Sequence, residues 1–208
     1  MAYPVHVRIE YRERHSRLRT LLRAFMVLPH LVVLAVLELA AAFVLVIAWF
    51  AILLTGRYPG ALFGFVAGTL RYATRVGCYW LLLTDVFPPF GLGARGDGYP
   101  IDVWVDEPER LSRLTTCVRS VLAIPALLIL YFLALFSVVI SFAAWWAILV
   151  TGRLPHGMFE VMELPHRYQA RVSAYSWLLT GLYPWFQEES GFEPGPWGIQ
   201  MGIEPAPE

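Results

Sequence analysis

The chain of 208 residues contains no lysine, so all 16 of its basic residues are arginine. Charged residues make up only 15% of it, against roughly 25% in an average soluble domain, and the formal net charge is zero. This balance excludes a basic nucleic-acid-binding protein, and a hydrophobic share of 58% excludes a disordered chain. The two cysteines, Cys78 and Cys117, do not have metal-ligand or redox spacing, so no disulfide framework is predicted.

Sequence signatures of catalysis are also missing. There is no glycine-rich loop of the kind that cradles a phosphate or a dinucleotide. Three histidines near the N-terminus, His6, His15 and His30, have no serine, cysteine or aspartate companion at the spacing typical of a nucleophilic triad. We therefore expect a protein that is not an enzyme and that needs no cofactor.

Most of the apolar residues lie in two long runs. Residues 31–54 contain a single charge, Glu38, and residues 126–150 contain none. At 1.5 Å per residue, a helix of either length is about 36 Å long and can cross a hydrocarbon core of about 30 Å. The rest of the chain is too short to cover two such helices on every side. The sequence therefore predicts two transmembrane helices.

The chain is an internal duplication. When it is shifted against itself by 96 residues, 35 of 88 aligned positions are identical without any gap. The strongest match joins residues 49–59, WFAILLTGRYP, to residues 145–155, WWAILVTGRLP. We define residues 1–90 as the first copy and residues 91–186 as the second copy. Residues 187–208 are acidic and rich in proline and glycine, which predicts a disordered tail.

Both copies have the same predicted elements. An alternating apolar segment predicts a short strand and is followed by an amphipathic arm that carries arginines. The long apolar helix then ends at Thr-Gly-Arg-x-Pro, because glycine suits the left-handed position after a helix and proline starts the next one. The next helix is predicted at about residues 60–87 and 156–183. The fold class is thus mainly α and integral to the membrane.

These motifs resemble a known family of bacterial membrane proteins, the domain-of-unknown-function family 4389. The resemblance depends on W-x-A-I-L-x-T-G-R-x-P, on R-Y-x-x-R-V and on the ending from L-T-D to P-P-F, and it covers residues 3–186. The second copy departs from the pattern at Gly181, where the first copy has Asp85, and at Glu160 and Glu163. The resemblance implies membership and brings no activity with it.

Two arguments disagree on whether the second helix of each copy crosses the membrane. Arg71 and Arg75 would each cost about 2.5–3.5 kcal/mol at the bilayer centre, which favours an interfacial helix with its arginines at headgroup level. If the strands pair and both arms lie on one side, however, each copy must cross an even number of times. In such a hairpin Glu38 comes level with about residue 76, within one turn of Arg75, so the two could pair. We favour two spans with interfacial second helices.

The best candidate site is a set of arginines for anionic lipid headgroups. Arginines four residues apart share one helical face, and each guanidinium can bind a phosphate through two hydrogen bonds. The alternative is plain anchoring, in which the same arginines extend to any headgroup without selecting one. Together with one arginine after each glycine turn, the set is Arg57, Arg71, Arg75, Arg153, Arg167 and Arg171.

A weaker candidate is a metal site in the second copy. Four potential ligands have spacings of 4, 3 and 3, which would place them on one face of a helix: His156, Glu160, Glu163 and His166. Pro165 is expected to interrupt that helix, and the first copy has none of the four residues. We therefore expect no metal ion.

The sequence favours a non-enzymatic accessory or scaffold subunit of a bacterial envelope complex. The alternative is a lipid-handling protein that uses the paired arginines. An intramembrane enzyme or transporter has the least support, because Glu38 is the single ionisable residue in the spans. Expected partners are membrane lipids and either a membrane protein or a second copy of the chain, without nucleic acid. The expected location is the bacterial cytoplasmic membrane.

Overall fold

A computed structural model describes residues 3–93 and 99–185, which form four helices and two short strands. Every element of the second copy begins and ends 96 residues after its counterpart, so the duplication holds in three dimensions. The predicted tail, residues 187–208, lies outside the described residues. In chain order the elements are β1 (Val5–Ile9), α1 (Arg17–Thr55), α2 (Gly60–Trp80), β2 (Ile101–Val105), α3 (Arg113–Thr151) and α4 (His156–Ser176).

The long helices α1 and α3 contain 39 residues each and are about 58 Å long. The arm and the apolar run, predicted as successive segments, are one continuous helix that passes through Pro29 in α1 and Pro125 in α3. The side chain of Ser16 caps the first turn of α1. Gly56 and Gly152, both at a φ of 74°, end the two helices in the left-handed conformation predicted from Thr-Gly-Arg-x-Pro.

The shorter helices α2 and α4 end earlier than predicted. The sequence places their ends at about residues 87 and 183, whereas the structure ends them at Trp80 and Ser176. Two residues further on, Leu82 and Leu178 have φ values of 70° and 64°, a conformation that a right-handed helix does not accommodate.

Protein surrounds the middle of α2. It packs against α1, β2 and α4, and its buried residues include Leu70, Arg71 and Tyr72, which point in three different directions around the helix. The structure thus differs from the interfacial helix expected from the sequence. The apolar side of α2 is covered by α1, and its arginines are covered by β2.

The long helices run antiparallel to each other. The indole N–H of Trp49, near the end of α1, donates to the carbonyl of Thr116 near the start of α3, at 3.3 Å. The equivalent indole of Trp145 donates to the carbonyl of Thr20, also at 3.3 Å. The two arginine arms therefore lie at opposite ends of the helix pair and not on one side, as assumed for the even number of crossings.

The strands form an antiparallel ribbon on the pseudo-two-fold axis that relates the copies. In its register, Val7 pairs with Val103, which is its own counterpart 96 residues later. The same rotation exchanges α1 and α3, so the axis also crosses the middle of the helix pair. The inner face of the ribbon packs on α2 and α4, while Arg8 and Glu10 are exposed on the outer side. The layers are therefore the long helices, the short helices and the ribbon.

The side of α1 and α3 that points away from the ribbon is apolar along both helices, and we call it the outer face. It bears exposed large hydrophobic residues from Leu18 to Leu54 in α1 and from Leu114 to Val150 in α3. Both helices are long and apolar enough to span a membrane by length and composition. Their most apolar windows are only 11% and 17% buried, which distinguishes them from the core helices of a soluble protein.

Glu38 does not form the ion pair considered for a helical hairpin. Its side chain is exposed at the middle of α1. Arg75 instead points to the ribbon, where its Nη2 lies 3.3 Å from Asp102 Oδ1. The predicted pairing of Glu38 with Arg75 is wrong because α2 directs Tyr72, and not Arg75, towards α1. The Tyr72 hydroxyl forms a hydrogen bond with His30 Nδ1 at 2.7 Å.

Candidate functional site

A groove opens between the second half of α1, the first half of α3 and the end of α4. Its volume is about 520 Å³, within the range of about 300–1,000 Å³ that is usual for small-molecule sites. We call it the Arg119 groove. Its walls are mainly apolar, with Leu45, Val46, Trp49, Phe50, Ala123, Leu127 and Leu178, and its polar residues are Thr116, Arg119, Ser120 and Ser176.

Arg119 is a buried cation in this groove, with only 3% of its surface exposed. Its Nη1 donates to the carbonyls of Tyr175 and Thr180, at 3.0 and 2.9 Å, and the guanidinium carbon lies 4.7 Å from the centre of the Tyr175 ring. Nε and Nη2 are also buried, and neither has a hydrogen-bond partner among residues 3–93 and 99–185. The same is true of the Ser176 hydroxyl.

The equivalent arginine of the first copy, Arg23, has a carboxylate beside it. Arg23 is also 3% exposed, lies 4.6 Å over the ring of Tyr79 and donates from Nη1 to the Tyr79 carbonyl. Its Nη2, however, lies 3.4 Å from Asp85 Oδ1. The residue at the corresponding position of the second copy is Gly181. The second copy thus has the same buried cation, and within residues 3–93 and 99–185 no carboxylate is paired with it.

The arrangement is suited to an anion that has an apolar part. A guanidinium with two unbonded donors binds a carboxylate or a phosphate, and the apolar walls cover hydrocarbon. Among protein family models, one described as a domain of unknown function (DUF4389) matches residues 17–91 and 113–188. The chain belongs to the DUF4389 family. Searches of curated proteins and of solved structures give no match.

The family match confirms the resemblance and its two tandem copies. In the first DUF4389 copy, the predicted headgroup arginines of α2 are inside the protein. Arg71 Nε donates to the carbonyl of Val103 and its Nη1 to that of Leu92, both at 2.7 Å, and Arg71 and Arg75 both approach Asp102. Burial lowers the pKa of the Arg71 guanidinium, and Asp102 opposes that effect. These two arginines attach α2 to the ribbon.

In the second DUF4389 copy, the α4 arginines also have protein partners. Arg167 Nη2 lies 2.7 Å from Glu163 Oε1, and Arg171 is stacked 5.1 Å from the centre of the Tyr3 ring. The remaining predicted arginines, Arg57 and Arg153, are exposed after the two glycine turns. The fold does not bring the six arginines to one place, and headgroup binding by them stays a prediction.

The four potential metal ligands are directed to different partners. His156 Nδ1 lies 3.2 Å from Glu160 Oε1 on the surface, while Glu163 is bonded to Arg167 and His166 is buried. In the described part of the chain no three metal-ligating side chains gather in one place. Pro165 does not interrupt α4, contrary to the expectation from sequence.

The Arg119 groove was not predicted from the sequence, although one signal for it is present there. The alignment of the copies matches Arg23 with Arg119 and places Asp85 opposite Gly181. Each arginine is more than sixty residues before that position. Only the fold brings the two positions together and reveals that one carboxylate is missing.

Proposed function

We propose that this DUF4389 protein is a non-enzymatic, lipid-associated protein that inserts α1 and α3 into one membrane leaflet, parallel to the surface. The observation that carries the proposal is the continuous apolar outer face on the side opposite the charged ribbon. In this orientation the pseudo-two-fold axis is the membrane normal. The short helices and the ribbon then lie on the aqueous side.

The position of the ribbon argues against a spanning orientation. If α1 and α3 crossed the bilayer, their midpoints would lie at its centre, and the axis through those midpoints would place the ribbon at the same depth. Arg8 and Glu10 would then enter the hydrocarbon together with the open edges of a two-stranded sheet. Unpaired backbone groups and charges are both strongly unfavourable there.

The length of the outer face supports the same orientation. Exposed apolar side chains extend from Leu18 to Leu54, which corresponds to about 54 Å of helix against a hydrocarbon core of about 30 Å. A helix about 10 Å in diameter that lies flat fits within a single leaflet. The arginines at both ends of the pair then reach headgroups of the same leaflet.

The bacterial cytoplasmic membrane is the location that we propose, on the basis of the family resemblance. The accessory or scaffold role expected from the sequence stays a prediction. It is compatible with this orientation, because the ribbon and the exposed ends of the helices remain accessible to a protein partner from the aqueous side.

Depth measurement by spin labelling tests the orientation. Leu18, Val36 and Leu54 lie on one helical face, are separated by five full turns each and are 66%, 64% and 76% exposed. A nitroxide at each position reports its depth from the ratio of collisions with oxygen and with a water-soluble nickel complex. The labels require a cysteine-free background, for which Cys78→Ala and Cys117→Leu copy the residues of the other copy.

Equal depth at the three positions, in vesicles of phosphatidylethanolamine and phosphatidylglycerol, is the expected result. A label that is deep at Val36 and shallow at both Leu18 and Leu54 would overturn the proposal, because that profile belongs to a spanning helix. The equivalent positions of α3, Leu114, Phe132 and Val150, repeat the measurement independently. A label on Arg8 should be accessible to the nickel complex, as expected for a ribbon in water.

A further inference from the structure

We propose that the Arg119 groove binds the anionic head of a lipid-derived amphiphile, a carboxylate or a phosphate carried on an acyl chain. The anion takes the place that Asp85 occupies beside Arg23 in the first copy. The inference rests on the proposed association with lipid as the source of the ligand.

The charge of Arg119 is the first argument. Carbonyls of Tyr175 and Thr180 satisfy Nη1, whereas Nε and Nη2 are buried without a partner in the described chain. In the first copy the corresponding Nη2 meets Asp85. A buried charged donor without a partner is costly, so an anion that supplies the missing acceptor is strongly favoured. A carboxylate or a phosphate has the geometry to engage both nitrogens.

The shape of the groove is the second argument. Val46, Phe50 and Leu127 line it and are also exposed on the outer face, so the groove is continuous with the surface that we place in the leaflet. An acyl chain can therefore lie against these side chains while its head reaches Arg119. Ser176 borders the groove at a position where the first copy has the much larger Trp80. Small side chains thus keep this space open in the second copy.

The first copy supplies the substitutions that test both arguments. Gly181→Asp restores the carboxylate, and a Cβ at Gly181 would lie 3.5 Å from Leu111 Cδ2, which is an ordinary contact. Its φ is outside the left-handed region, so aspartate is accommodated without backbone strain. Gly181→Asn is the matched control, with the same size and no charge. Ser176→Trp fills the groove with the residue of the first copy.

Binding is measured with the full-length protein in micelles of a neutral maltoside detergent. The probe is cis-parinaric acid, a fluorescent fatty acid with a carboxylate head, and protein-free micelles supply the background. Palmitate and phosphatidylglycerol are then added as competitors, with phosphatidylcholine as the uncharged comparison. Displacement by palmitate alone identifies a free fatty acid as the ligand, and displacement by phosphatidylglycerol identifies a phospholipid.

We expect one site per chain in the natural protein. Gly181→Asp should weaken binding by about 10- to 100-fold, because the new carboxylate occupies the guanidinium. Gly181→Asn should bind within about threefold of the natural protein. Ser176→Trp should also weaken binding, in this case by excluding the chain. Far-UV circular dichroism confirms that each variant is folded.

Three outcomes would overturn the inference. The first is unchanged binding in Gly181→Asp. The second is an equal loss in Gly181→Asp and Gly181→Asn, since the effect would then come from size and not from charge. The third is displacement of the probe by phosphatidylcholine as effectively as by the two anions. The assay uses micelles, so its result does not depend on the orientation in a bilayer, and the spin-label experiment can fail while the groove still binds.

Discussion

The two copies have the same backbone fold but differ in the groups that surround an equivalent buried arginine, Arg23 in the first copy and Arg119 in the second. In the first copy the arginines are matched by carboxylates, since Asp85 lies beside Arg23 and Asp102 lies beside both Arg71 and Arg75. At Arg119, the counterpart of Arg23 in the second copy, the partners within the described chain are instead carbonyl oxygens and an aromatic ring. The guanidinium of Arg119 lies over the ring of Tyr175, and its Nη1 donates to the carbonyls of Tyr175 and Thr180.

This difference determines which buried arginine can attract an anion from outside the protein. A guanidinium paired with a carboxylate is neutralised inside the protein, and an external anion gains little by approaching it. A guanidinium that meets only carbonyl dipoles and ring faces keeps its net charge. We therefore expect a bound anion to have a larger effect at Arg119 than at Arg23, and substitutions at matched positions of the two copies test this difference.

The largest effect is expected from Asp102→Asn. Asp102 is the common partner of Arg71 and Arg75, whose side chains are 7% and 2% exposed, so loss of its charge leaves two buried cations unmatched. We expect the free energy of unfolding to fall by about 3 kcal/mol. Thermal unfolding in a neutral detergent, followed by circular dichroism, measures the change.

The matched control is His6→Asn, because His6 holds the equivalent position on β1. Its contact with Asp106, at 3.3 Å, is exposed, and we expect a change within about 0.5 kcal/mol. Equal losses at Asp102 and His6 would contradict the contrast between the copies. They would indicate that the stability of the ribbon depends on the pairing of β1 with β2 and not on the contacts of Arg71 and Arg75 with Asp102.

A smaller loss is expected from Asp85→Asn. The variant removes the carboxylate from Arg23 while it keeps the size of the side chain, and a charge-assisted hydrogen bond of this kind contributes about 2 kcal/mol. Its control is Gly181→Asn, at the same position of the second copy, where no carboxylate is lost and we expect a change within about 0.5 kcal/mol. If Asp85→Asn and Gly181→Asn lowered the free energy of unfolding by the same amount, the proposed difference between Arg23 and Arg119 would be wrong.

Much of the fold could be predicted from the sequence because its signals are local. The alternation of Val5, Val7 and Ile9 indicated β1, and the glycine turns at Gly56 and Gly152 ended the long helices where predicted. The duplication was evident from the alignment alone. Each of these features depends on residues within one turn, one strand or one repeat.

The arrangement of the elements could not be predicted in the same way. The antiparallel pairing of α1 and α3 depends on contacts such as that of Trp49 with Thr116, which are far apart in the chain. Arg71 and Arg75 have the spacing of an exposed pair on an interfacial helix, and only the ribbon above them makes them buried. Hydropathy measures length and composition, so by itself it does not determine whether a helix crosses a membrane or lies within one leaflet.

The smallest predicted effect concerns His166 of the second copy. The first copy has the apolar Leu70 at the equivalent position. His166 is buried, its Nδ1 donates to the carbonyl of Met162 at 2.8 Å, and burial lowers the pKa of its imidazole below the ordinary value. Below pH of about 6.5 the unfolded chain therefore binds a proton that the folded protein resists. The free energy of unfolding should fall as the pH is lowered from that value towards the folded pKa.

Substitution of His166 by leucine, the residue of the first copy, should remove this part of the pH dependence. Between pH 6.5 and 5.5 we expect the natural protein to lose about 1 kcal/mol more than His166→Leu. Unfolding curves at both pH values give the difference, and His156→Gln, which removes an exposed histidine from the same helix, is the control. If His166→Leu retained the full pH dependence of the natural protein, the imidazole of His166 would not be its source. In that case the acid sensitivity would not distinguish the two copies at this position.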